Sequence, residues 1–338
     1  MDKDQSGKIS VIIPCYNQGK FVDDAVDSVL KQTYQNFEII IINDGSTDEF
    51  TNNLLKNYKK PNTKVYHTKN QGLASTRNYG FQLSTGDLIQ FLDADDFLDE
   101  RKFEAQIKEF KEDNSLDVSY TNYKYFYDES QKYSESQMED KLGNNPFDDF
   151  VYKWQRGLSI PIHCGLFKKS IFDKPGPFIE GFKAIEDWIM WVTIAKKGCS
   201  FKYLDKTFAF YRIQSGNMTK NKEFMFYWVA RAVAYIAENF IKTEDSEKFN
   251  SQQEKYLRQL VDSFYISDIE NEFSKRKEEI LNTHKEELKV HLEEENRLNN
   301  LLQESELRYH KLITSKTYRF GEKLLWLPKK IRNLIFRQ

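Results

Sequence analysis

Four short apolar runs punctuate the first hundred residues, at 8–13 (KISVII), 37–43 (FEIIIIN), 64–67 and 88–92 (LIQFL). A run such as 37–43, with four consecutive isoleucines, reads as a strand buried on both faces. Between the runs, residues 20–32 place Phe21, Ala25, Val29 and Leu30 at helical spacing, and 47–58 and 74–83 read as two further helices. Strand–helix alternation with short connections predicts an α/β fold with a mostly parallel, doubly wound, Rossmann-like sheet. Right-handed crossovers then place helices on both of its faces. In such sheets ligands sit beyond the carboxyl ends of the strands.

The segments just after those strands are rich in functional groups. The fourth run leads straight into Asp93, Ala94, Asp95 and Asp96. Crowded acids repel one another unless a cation neutralises them. Hard cations such as Mg²⁺ or Mn²⁺ favour carboxylate and phosphate oxygens. The competing reading is an Asp-rich turn that caps a helix at 99–111. The first strand is followed by Pro14, Cys15, Tyr16 and Asn17, the second by Asn43, Asp44, Gly45 and Ser46. The third is followed by Asn70, Gln71 and Gly72, with Arg77 on the next helix. An aromatic face, an acid for a base's N–H groups, an arginine for phosphate and metal-binding carboxylates would suit a nucleoside diphosphate. A dinucleotide fold would carry G-x-G-x-x-G after its first strand, where this chain has Pro14-Cys-Tyr-Asn-Gln-Gly19. No P-loop pattern occurs either.

Beyond residue 100 the pattern loosens. An antiparallel strand is expected near 117–127, a mobile region over 128–145, and a helix at 184–197 ending near Gly198. Residues 218–268 read as a helical extension. The charged stretch 269–315 reads as a long helix that pairs copies through an irregular coiled coil, or as a lone stalk. Its heptad positions Leu281, Leu288, Leu302 and Tyr309 are interrupted by Glu295. Residues 316–338 carry seven basic residues and one acid, with Leu324, Leu327, Ile331, Leu334 and Ile335 on one face. That amphipathic tail fits an anionic membrane surface, or packing against protein. The net charge of −2 gives no field for nucleic acid. Three scattered cysteines suit a reducing compartment. No signal-peptide core or transmembrane-length apolar run is present. A cytoplasmic protein is expected, with contact at the inner face of the plasma membrane left open.

The motifs Ile9-Ser-Val-Ile-Ile-Pro-Cys-Tyr-Asn, Ile41-Ile-Asn-Asp-Gly-Ser-Thr-Asp, Gly72-Leu-Ala-Ser-Thr-Arg-Asn-Tyr-Gly and Phe91-Leu-Asp-Ala-Asp-Asp resemble family-2 glycosyltransferases of the GT-A fold, of the kind that build bacterial surface glycans. The resemblance implies a GT-A domain over 1–217, with a nucleotide-sugar half at 8–100 and an acceptor half at 101–217. It implies inverting transfer from a nucleotide sugar, usually a UDP-sugar, to a glycan or lipid-linked saccharide, with Mn²⁺ or Mg²⁺. On that basis Pro14, Tyr16 and Asn17 would border the nucleoside and Asp44 would accept from uracil. Arg77 would approach uracil or diphosphate. Asp93, with Ala94 beside it, would meet the ribose, and Asp95, aided by Asp93, would hold the metal. Asp96 would support the site or approach the donor sugar. Asp187 would be the general base, with Glu186 its neighbour or an acceptor contact; the plainer reading is favourable charge in a helix's first turn. Trp188 or Trp191 could stack on a sugar, and His163 is either an acceptor contact or a structural histidine. Tyr211-Arg212 matches the end of many family catalytic domains. Gln214 stands where several relatives carry a His near the diphosphate, a departure that bears on whether the protein supplies a third metal ligand. The alternatives are a nucleotidyltransferase and a non-catalytic sugar-nucleotide scaffold assembled through the C-terminal helix.

Overall fold

A computed structural model describes residues 7–283 and 290–313, except 137, 139, 155, 175 and 215. The chain divides into two compact units, Met1–Lys220 and Asn221–Gln338. The first unit opens with β1 (Ile9–Cys15), α1 (Gly19–Leu30), β2 (Phe37–Asp44), α2 (Glu49–Lys56), β3 (Thr63–Thr68), α3 (Leu73–Leu83) and β4 (Leu88–Phe91). It continues through β5 (Phe97–Leu98), α4 (Lys102–Glu112), β6 (Val118–Tyr127), β7 (Lys132–Ser136), α5 (Pro146–Tyr152), β8 (Gly165–Lys168), α6 (Glu186–Lys196) and β9 (Phe201–Ile213).

The sheet order is β3-β2-β1-β4-β8-β6-β9-β5, with β7 added on β6. The β3-β2-β1-β4 half is wholly parallel, as the strand–helix alternation predicts. Beyond β4 the sheet is mixed: β8 runs antiparallel to β4 and β6, while the long β6–β9 ladder is parallel. Every residue of β1 is buried. On one face Val11 and Ile13 join Val22 and Val26 of α1 and Phe103 and Ile107 of α4 in a single apolar core. Where β2 ends, Gly45 has φ +64, and a Cβ there would lie 2.5 Å from the amide of Asn70. Only glycine fits that approach, which brings the segments beyond β2 and β3 together.

Gly80 of α3 packs tightly on β1, and a Cβ there would stand 2.4 Å from Ile12 Cγ2. Gly80→Ala is therefore expected to destabilise the unit even though alanine favours helix by about 1 kcal/mol. Overpacking of this kind typically costs about 1–3 kcal/mol. An unchanged urea midpoint would contradict the packing described.

The segment 128–145, expected to be mobile, contains strand β7. Cross-strand aromatic packing accounts for it: the Tyr133 ring lies 5.1 Å from that of Phe126 and 5.3 Å from that of Phe210. Lys102 is completely buried, with its ammonium group donating to Gln90 Oε1 at 2.5 Å and Gln106 Oε1 at 2.7 Å. Burial without a carboxylate partner pushes its pKa down to about 7.

The second unit contains α7 (Lys222–Phe240), α8 (Ser246–Thr283) and α9 (Val290–Ile313), with α7 packed on α8. The buried residues Trp228, Val229, Ala232, Val233 and Ile236 form the stripe of α7. The described part of the stretch expected as one helix over 269–315 is helical, in α8 and α9; residues 284–289, 314 and 315 lie outside the described residues. Leu302 is 45 % exposed and Leu307 is 61 % exposed. The amphipathic tail 316–338 also lies outside the described residues. Among the described residues no helix is long and apolar enough to cross a membrane.

Candidate active site

The carboxyl ends of β1, β2 and β4 open onto a cavity of about 390 Å³ whose lining includes Pro14, Tyr16, Asp44, Asp93, Asp95 and Tyr211. That volume lies in the range of small-molecule sites. Tyr16 is 44 % exposed and presents a ring at the mouth. Residues 216–219, which the sequence did not single out, supply another wall. Asn217 fastens this wall to β9: its Oδ1 accepts from the Gln214 amide at 2.8 Å, and its Nδ2 donates to the Arg212 carbonyl at 2.9 Å.

Two expected nucleoside contacts are also loop fasteners. Asn17, at φ +54, accepts on Oδ1 from the amides of Thr47 (2.7 Å) and Asp48 (3.1 Å), tying the β1 end to the β2 end. Asparagine tolerates that left-handed conformation better than most residues. The side chain of Asn17 thus serves the loops. Asp44 accepts from the amides of Gln71 at 2.9 Å and Gly72 at 3.0 Å, while still lining the cavity. Ala94 is buried.

The acids are organised by two arginines. Arg77, 2 % exposed, donates from Nη2 to Asp93 Oδ1 and from Nη1 to Glu186 Oε1, each at 2.5 Å. Burial disfavours its charge, but the carboxylates of Asp93 and Glu186 outweigh this and hold its pKa above the usual value. Arg77 is expected at uracil or the diphosphate; in the structure it makes this bridge instead, at 2 % exposure and outside the lining of the cavity. Arg212, buried near the end of β9, donates from its amide to Asp96 Oδ1 (2.8 Å) and from Nε to the Asp95 carbonyl (2.7 Å). It also pairs with Asp24 at 2.7 Å and Asp128 at 2.5 Å. The sequence offered only the Tyr-Arg resemblance as a hint of that hub.

Burial, with repulsion from Asp93, pushes the Asp95 carboxyl up to about 6. Gln214 Nε2 donates to its Oδ2 at 3.1 Å. Asp96 is fully enclosed, and burial with repulsion from Asp95 and Asp93 also raises its pKa. Its Oδ2 lies 3.1 Å from His163 Nδ1. Burial pushes that imidazole down to about 3, so His163 faces Asp96 as a neutral ring. At 1 % exposure His163 is a structural partner of Asp96, not an acceptor contact.

Glu186 and Asp187 open α6, as expected. The residue before them, Ile185, sits at φ +65 and ψ 12, a left-handed conformation unfavourable for a β-branched side chain. Such strain costs about 1–3 kcal/mol and concentrates at functional sites. Glu186 is buried, with Oε2 lacking a hydrogen-bond partner among the described residues. Asp187 keeps partial exposure, and its Oδ1 accepts from the Trp188 amide at 2.8 Å. Burial, then repulsion from Glu186, raises Asp187 to about 7, opposed by Arg77. Trp188 is corrected to a core residue. It is 1 % exposed, its Nε1 donates to the Phe150 carbonyl at 2.6 Å, and its ring is near-parallel to that of Trp154 at 6.2 Å. Trp191 is likewise buried, with its ring stacked on Phe150.

The donor set fits a hard cation. Asp93 and Asp95 both line the cavity, and the raised pKa of Asp95 reflects burial first and then the charge of Asp93, both of which a cation would offset. No group of three or more metal-ligating side chains occurs among the described residues. Magnesium-type sites commonly use one or two carboxylates and complete their shell with phosphate and water.

Residues 10–174 match the family model described as glycosyl transferase family 2. An uncharacterized glycosyltransferase of Rickettsia bellii is 36% identical over 222 residues, 64% of this chain and 30% of its own length. Chondroitin synthase of Escherichia coli is 29% identical over 218 residues, again 64% of this chain and 30% of that protein. The chain thus spans about a third of the length of the curated relatives it matches. Among solved structures, S. aureus TarS 1-349 in complex with UDP-GlcNAc aligns with a TM-score of 0.51 at 18% identity, covering 75% of this chain and 81% of that one. Mannosyltransferase PcManGT from Pyrobaculum calidifontis, in complex with GDP-Man and Mn²⁺, aligns with a TM-score of 0.53 at 13% identity, covering 98% and 88%. These likenesses establish a common fold. With motifs, family model and relatives all falling on the same stretch, residues 10–174 are a glycosyl transferase family 2 segment.

Proposed function

We propose that the first unit transfers a sugar, with inversion, from a nucleotide sugar to a hydroxyl of a glycan or lipid-linked saccharide, the donor being a UDP-sugar. The observation that carries this reading is Arg77, which joins cavity-lining Asp93 to Glu186 beside a base candidate, Asp187, whose pKa is raised to about 7. A base with a pKa near the working pH combines availability with proton affinity. The nucleotide sugars bound by TarS and PcManGT support the donor class.

In this mechanism the acceptor oxygen attacks the anomeric carbon opposite the diphosphate. The new C–O bond forms as the bond to the diphosphate oxygen breaks, and that oxygen keeps the electron pair. The acceptor proton passes to Asp187. Since Oδ1 accepts the Trp188 amide, Oδ2 is the oxygen that takes it. Asp95 and Asp93 would hold Mn²⁺ or Mg²⁺, which when bound supplies positive charge to the departing diphosphate. Tyr16 and Pro14 border the nucleoside. A cytoplasmic setting, pairing of copies through 269–315 and contact of 316–338 with an anionic membrane belong to the same proposal and rest on sequence alone.

The full chain should turn over at least one member of a UDP-sugar panel with Mn²⁺, by transfer or slow donor hydrolysis. Asp95→Ala should raise the Mn²⁺ concentration needed for half-maximal rate by tenfold or more. Calorimetric UDP binding with no turnover of any panel member would favour the scaffold alternative, and absence of both would contradict the proposal.

A further inference from the structure

We propose that a lysine-rimmed groove at the amino-terminal edge of β1 and β4 binds the phosphate headgroup of an anionic phospholipid. Gly7 and Leu88 line this groove, which has a volume of about 770 Å³. The donor cavity lies at the other end of the same strands, where β1 reaches Pro14 and Cys15. Seven residues of strand separate the two ends of β1 by roughly 20 Å.

Four lysines line the groove, Lys111, Lys168, Lys169 and Lys174, against one carboxylate, Asp87. Among the described residues none of the four makes an ion pair. Lys168 donates to the Asn114 carbonyl at 2.6 Å and Lys169 to the Ser84 carbonyl at 2.5 Å. These neutral acceptors orient the ammonium groups without cancelling their charge, and each ammonium has further N–H donors. Lys169 also lies over the Phe81 ring, 5.4 Å from its centroid. Burial is the main influence against its charge; Glu38 and Asp87 favour the charge, and neighbouring Lys174 opposes it. An anion between Lys169 and Lys174 would offset their mutual repulsion.

The walls are not those of a simple phosphate site. Phe81, Phe110 and Phe172 line it, and the lysine stems add aliphatic surface. An ammonium rim around an apolar floor matches an amphiphile that carries a phosphate next to alkyl chains. Inorganic phosphate would use the rim and leave the floor unused. Lipid seated here would leave the donor cavity facing away from the bilayer, so a lipid-linked acceptor would have to extend its saccharide past the sheet. Lipid capture does not depend on transfer activity.

The test is calorimetric titration of the full chain with dihexanoyl phosphatidylglycerol, kept monomeric so that no membrane surface is present. Saturable binding is expected, weakened at least tenfold by the double substitution K111Q/K174Q, at two exposed positions, while UDP binding is unchanged. Dihexanoyl phosphatidylcholine and inorganic phosphate should each bind at least tenfold more weakly. Phosphatidylglycerol binding that is absent, or insensitive to K111Q/K174Q, would overturn the proposal. So would inorganic phosphate binding as tightly as the lipid, which would reduce the groove to a free-anion site.

Discussion

Replacing Arg77 with methionine is expected to destabilise the first unit by about 3–5 kcal/mol, the usual effect of deleting one partner from a buried charge network. The substitution keeps much of the volume and leaves Glu186, with a side chain 5 % exposed, facing Asp93 without the cation between them. Arg77→Lys should rescue only part of the loss. A lysine ammonium is a single point charge, whereas the guanidinium reaches both carboxylates at 2.5 Å through separate nitrogens. Urea unfolding of the three proteins at one pH checks this. A methionine variant within about 1 kcal/mol of wild type, a loss more typical of an exposed ion pair, would show that the bridge does not organise the site.

Asp187→Asn is expected to lower kcat by roughly 10²–10⁴-fold, the usual contribution of a positioned general base. Donor KM should change little, because Asp187 is outside the lining of the donor cavity. The pH profile separates loss of a base from loss of structure. Below its pKa of about 7 Asp187 carries a proton and cannot accept another, so the wild-type rate should rise with pH through about 7 and level off above it. The asparagine variant should lack that limb. Full activity in Asp187→Asn, or an unchanged acid limb, would remove Asp187 from the role of base.

The parallel half of the sheet could be read from sequence because its signals are local. The isoleucines of β2 bury both faces of one strand, and β1, β3 and β4 are each marked by their own short runs. The positions of Asp93 and Asp95 at a strand end were legible for the same reason. The partners of these groups were not. Arg77 and Glu186 are 109 residues apart in sequence, and no periodicity marks a guanidinium that turns from phosphate to carboxylate. Trp188 comes directly after the acids on α6, yet helical geometry carries its ring to the Phe150 side of the core. A linear reading leaves His163 open between an acceptor contact and a structural role, and no local signal marks Lys102 as buried; packing between distant elements encloses both. The wall at 216–219 depends on Asn217 reaching back to β9, a contact that leaves no trace in composition.

The most direct test is a crystal structure of the full chain with UDP and Mn²⁺. The diphosphate is expected in the cavity bounded by Tyr16, Asp44, Asp93 and Asp95, with one cation between Asp95 and the phosphate oxygens and Arg77 still bridging to Glu186. Nucleotide bound elsewhere, or a cation that touches neither Asp93 nor Asp95, would contradict the account.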